Sequence, residues 1–87
     1  MIFSKTLELA KGEIGTLSDG KKAYFLTFLD SYSGDTIRSM TSEQNYNSVL
    51  DNQGKTFVCT FDVSQRYSDE RNSFYWSVRL KMVKVNA

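Results

Sequence analysis

The residues of this chain best suited to chemistry are aromatic rings set in line with cations. In Phe74-Tyr75-Trp76-Ser77-Val78-Arg79-Leu80-Lys81, alternation places Tyr75, Arg79 and Lys81 on one side of an extended segment. A flat ring beside two cations can stack a base and neutralise the phosphates flanking it, and such stacking contributes roughly 1–3 kcal/mol per base. Arg66, Tyr67 and Arg71 set one more ring between two guanidinium groups; the same residues also suit a solvated loop whose arginines pair with Asp69 and Glu70. Arg38 and Lys22 add cations elsewhere in the chain. Phe25 is a second stacking candidate if Leu26 and Phe28 point inward. With the opposite parity Tyr24 and Phe28 take that role, and the first arrangement is favoured.

Missing residue types narrow the chemistry further. There is no histidine, which removes the usual acid–base group near neutral pH and the imidazole metal ligand. A single cysteine, Cys59, excludes an internal disulfide and a thiolate zinc site within one chain, and it fits a reducing compartment. Set among Phe57, Val58 and Phe61, it reads as a small buried hydrophobe. The ten acids are scattered among turns and strand ends. Gly12-Glu13-Ile14-Gly15 lacks the spacing of a phosphate loop and the Lys-Ser/Thr that follows one. The composition therefore points away from an enzyme and from any metal or cofactor.

The elements that must position these groups fit one small domain over residues 1–87. The chain is 40% hydrophobic and 24% charged, ordinary for a folded protein, and its net charge is only +1. Placement of the cations, rather than their sum, must then create any anion-binding surface. No apolar run approaches the roughly 18 residues of a membrane span. The start of the chain shows no signal-peptide core, so the expected location is cytoplasmic.

Residues 3–9 alternate as a strand, which Gly12 and Gly15 are expected to bend. After the Asp19-Gly20 turn, a second strand runs from about Lys22 to Asp30. Ser31 to Asp35 turn the chain into a third, Thr36 to Met40. Thr41 with Gln44 resembles a helix-capping pair, and Tyr46, Val49 and Leu50 form one face of a short helix that Gly54 terminates. A fourth strand spans Lys55 to Ser64, Gln65 to Ser73 read as a polar loop, and a fifth strand spans Phe74 to Val85. Trp76 is assigned to the core with Phe74, Val78, Leu80 and Met82, its neighbours at spacing two.

The order β-β-β-α-β-β implies an all-β fold, a five-stranded OB-fold barrel with one short helix between strands three and four. An SH3-like barrel has no helix of this length there, and a β-grasp domain puts its helix after the first hairpin. The segment FLTFLDSYSGDTIRSMTSEQ resembles the strand-two to strand-three hairpin of OB-fold single-stranded-DNA-binding domains. In these an apolar strand ends in Asp, a short turn carries Gly, and an Ile-Arg pair opens the next strand. The chain length and the ending Val78 to Val83 are similar to those of the small single-stranded-DNA-binding proteins of filamentous phages. The resemblance implies single-stranded DNA, or alternatively RNA, as partner, with a role in replication or recombination of a phage or mobile element. It marks Arg38 as a contact to backbone or base. A protein-interaction OB or SH3-like module without nucleic-acid ligand is the alternative. Separately from either reading, the aromatic content of the chain suggests that the hairpin from Phe57 to Met82 pairs across a two-fold axis as a homodimer.

Overall fold

The computed structural model describes residues 1–86 as five strands and one helix. They are β1 (Ile2–Thr16), β2 (Lys22–Leu29), β3 (Thr36–Thr41), α1 (Glu43–Leu50), β4 (Thr56–Ser68) and β5 (Ser73–Val85). The strands form one sheet, and the helix lies between β3 and β4 in the chain. Strand β1 is long enough to pair twice: Ile2 to Glu8 with β4 and Glu8 to Thr16 with β2, both antiparallel. Strands β2 and β3 form a hairpin, and β4 and β5 form a longer one. Strand β3 meets β5 in parallel through one register pair, Met40 with Arg79. The pairing thus runs β1–β2–β3–β5–β4 and returns to β1.

Alternation along these strands builds the core. Leu7, Leu26, Phe28, Phe57, Cys59, Phe61 and Leu80 point inward and are buried. Phe28 meets Phe57 and Phe61 edge-on at ring separations of 6.3 and 6.4 Å, the offset geometry that aromatic quadrupoles favour. Cys59 is buried as expected, and burial pushes its thiol up to about 12. Tyr46 and Val49 of α1 pack onto the same core. The helix starts one residue later than the sequence suggests: Ser42 is the cap, its hydroxyl accepting from the Asn45 amide at 3.2 Å.

The strand irregularities differ from expectation. Strand β1 shifts register between Leu9 and Lys11, so the extra residue is Ala10, and neither Gly12 nor Gly15. Gly12 instead admits the helix, since a Cβ there would lie 3.1 Å from Leu50 Cδ2 and 3.2 Å from Tyr46 Cε2. A second shift separates Thr60/Met82 from Phe61/Leu80 and leaves Lys81 as the bulged residue. This inverts the parity of the end of β5, so Met82 is exposed while Val83 and Val85 pack inward.

The largest correction concerns residues 65–73. They are not a loop: β4 continues to Ser68 and β5 begins at Ser73, with the turn confined to Asp69–Asn72. Trp76 and Phe74 do not belong to the core. They lie on this extension, 61% and 66% exposed, because the hairpin outruns the sheet beneath it. No helix is long and apolar enough to cross a membrane among the described residues.

Candidate functional site

One register row crosses all five strands on the outer side of the sheet. Glu13 of β1 pairs with Phe25 of β2, Phe25 with Met40 of β3, Met40 with Arg79 of β5, and Arg79 with Asp62 of β4. Phe25, Met40, Arg79 and Asp62 are each one position out of phase with a buried neighbour, as Phe25 is with Leu26 and Arg79 with Leu80. The parity of β2 is therefore the favoured one, with Leu26 and Phe28 inward and Phe25 outward. Tyr24 turns the other way and packs on Tyr46 at 5.3 Å between ring centres. Burial raises its hydroxyl pKa, and the nearby Glu43 carboxylate adds to the effect.

Arg38, the next residue of β3 on the same face as Met40, folds back over this row. Its guanidinium carbon stands 4.2 Å from the centre of the Phe25 ring, a cation–π contact. Its Nε is 3.5 Å from Glu13 Oε1, so the same acid both borders the ring and anchors the cation. Lys11 approaches the other Glu13 oxygen at 3.9 Å.

At the β5 end the row opens into a shallow concavity of about 350 Å³. Met40 forms its rim towards Phe25. Arg66, Tyr75, Arg79 and Lys81 line it together with Asp62 and the small Ser64 and Ser77. Register explains the grouping: Asp62/Arg79, Ser64/Ser77 and Arg66/Tyr75 are successive same-face pairs of the β4–β5 hairpin. The bulge at Lys81 keeps that side chain exposed beside Arg79, and the Lys81 carbonyl accepts from Asn45 Nδ2 at 3.3 Å.

Six of the residues singled out from the sequence therefore share one outer face: Phe25, Arg38, Arg66, Tyr75, Arg79 and Lys81. Arg71 lies in the hairpin turn and borders a second depression with Ser68, Glu70 and Tyr75. Lys22 stands at the start of β2 with the opposite parity to Phe25, away from the row. Tyr67 does not form a clamp with Arg66 and Arg71. It sits on the far face of the hairpin, edge-on to Phe74 at 5.1 Å, with its hydroxyl donating to Asn72 Oδ1. Sequence reasoning missed Met40 and Glu13, and Glu13 depended on the β1–β2 register. Asp62 stands on the outward face that its alternation with Phe61 and Val63 indicates.

No family model, curated protein or solved structure matches this chain.

Proposed function

We propose that this protein is an OB-fold protein that binds single-stranded DNA with little sequence preference, in replication or recombination. The observation carrying this reading is the continuous outer face from Phe25 and Arg38 through Met40 to Arg79, Lys81, Arg66 and Tyr75. It supplies the two groups that sequence-tolerant binding requires: rings for bases and cations for the backbone. The architecture supports the same reading. A first strand pairs with both β2 and β4, β3 meets β5 in parallel, and a helix follows β3, which matches the five-stranded OB barrel. OB folds bind oligonucleotides on strands two and three and on the loops after strands one and four. The face described here lies on β2 and β3 and runs onto the β4–β5 hairpin.

In this reading bases stack on Tyr75 and, once Arg38 moves aside, on Phe25, while Arg66, Arg79 and Lys81 track the phosphates. Fluorescence titration with oligo-dT at two salt concentrations tests it. Affinity should fall with salt by a log–log slope of about −0.7 per phosphate neutralised. No binding at low salt, or binding indifferent to salt, would rule the reading out. The acids Glu13 and Asp62 at the two ends of the row favour a second reading, a module that docks a protein partner on this same mixed-charge face. Absence of oligo-dT binding would leave that one standing.

A further inference from the structure

Beyond Val63 and Val78 the β4–β5 ladder continues without a third strand. Ser64–Ser68 pair only with Ser73–Ser77 among the described residues. Alternation gives this overhanging ribbon two chemically distinct faces. One carries Ser64, Arg66, Tyr75 and Ser77 and belongs to the concavity. The other carries Gln65, Tyr67, Phe74 and Trp76, and it prolongs the side that buries Phe61 and Leu80. No core lies beneath it there, and Tyr67, Phe74 and Trp76 are 48%, 66% and 61% exposed.

We infer that this aromatic face docks against the same face of a second copy of the chain. Three observations select that occupant. The face holds no charged side chain, so it offers nothing to a phosphate backbone, and its match is another apolar surface. A two-stranded ribbon without a covering layer is marginal in water. A two-fold contact covers both ribbons at once, because each patch meets its own copy. The area also fits. Fully buried aromatic rings cover 150–250 Å² each, so the exposed fractions leave roughly 250–450 Å² of ring surface per copy. Two such patches stay below the roughly 1,200 Å² at which stable specific interfaces begin, in the range of weak, reversible association. With the aromatic faces apposed, the two Arg66–Tyr75 faces point away from each other. One dimer then carries two separate outer surfaces, back to back.

The association does not depend on what the outer face binds, and Trp76 reports on it directly as the only tryptophan. Sedimentation of the full chain should shift from 10.0 kDa towards twice that mass across the micromolar range. Trp76 emission should move to shorter wavelength with the same midpoint. Phe74→Glu should stay monomeric at every concentration with red-shifted emission, while its thermal melt shows an intact fold. Tyr75→Ser, on the opposite face, should associate as the native chain does. A constant 10.0 kDa with unchanging emission would overturn the inference, and so would undiminished association of Phe74→Glu. Oligo-dT titration of monomeric Phe74→Glu then separates the two surfaces. Retained binding supports the division into two faces, whereas quenching of Trp76 by oligo-dT in that monomer would assign the aromatic face to nucleic acid and overturn self-docking.

Discussion

Arg38 occupies the ring face that an incoming base would need. Its contact with Phe25 at 4.2 Å is worth about 0.5–1 kcal/mol at an exposed site, and the pair with Glu13 adds about 0–1 kcal/mol. Stacking of a base contributes about 1–3 kcal/mol, so a strand can displace the guanidinium and then use it on a phosphate. Glu13 opposes that exchange by holding Arg38 and by adding negative charge beside the ring. Glu13→Gln should therefore raise oligo-dT affinity, by up to about fivefold for a gain of 1 kcal/mol. Arg38→Ala should lower affinity and flatten the salt slope by about 0.7. Titrations of both variants against the native chain check this, and a Glu13→Gln protein that binds more weakly would contradict the displacement picture. The outward parity of Phe25 was legible because Leu26 and Phe28 were the better core residues. The hold of Glu13 on Arg38 was not, because it arises only when β1 and β2 pair in one particular register.

At the scale of elements, the weakest seam lies between β3 and β5, which share the single register pair Met40/Arg79. The buried Ser39 hydroxyl reinforces it by accepting from the Leu80 amide at 2.7 Å, and it lies within donating reach of the Val78 carbonyl at 3.2 Å and the Met40 carbonyl at 3.1 Å. Ser39→Ala removes the acceptor and leaves a buried amide unsatisfied, a loss of about 1–3 kcal/mol. The urea midpoint should fall accordingly with an unchanged m-value, and an unshifted midpoint would show that the seam is held otherwise. Much of this level could be read from the chain: the order of elements, the helix face of Tyr46 and Val49, and the alternation of Phe57, Cys59 and Phe61. Two things were hidden. Bulges at Ala10 and Lys81 carry no compositional mark, yet each inverts the parity of everything beyond it. The polar run Gln65 to Ser73 signals exposure, and an overhanging two-stranded ribbon is exposed on both faces, so its ladder looked like a loop. Trp76 was placed in the core for the same reason, since spacing alone does not show where the core ends.

For the whole molecule, pH bounds the folded state from two sides. Asp30 is the one acid buried among the described residues. Lys5 of β1 pairs with its carboxylate and holds it below the ordinary value of 3.8, and the Tyr32 amide donating at 3.0 Å adds to the effect. A depressed carboxylate stabilises the fold above its unfolded pKa, and that contribution is lost as pH falls through the folded value. Cys59 acts at the other end. Its thiol is raised from 9.0 to about 12, so the folded chain keeps a proton that the unfolded chain gives up, and stability declines as pH rises from about 9 towards 12. Thermal melts across both ranges separate the two effects. Asp30→Asn should melt lower than the native chain near neutrality but lose less on acidification below about pH 4, leaving the alkaline limb unchanged. Cys59→Ala should reduce the alkaline limb without touching the acid one, leaving the part that Tyr24 carries through its own raised hydroxyl pKa, at the cost of a small cavity that lowers the melting temperature at every pH. If Asp30→Asn instead kept the full acid sensitivity, the Lys5 pair would not be what ties β1 to the end of β2, and the acid limb would have to arise from the exposed carboxylates acting together.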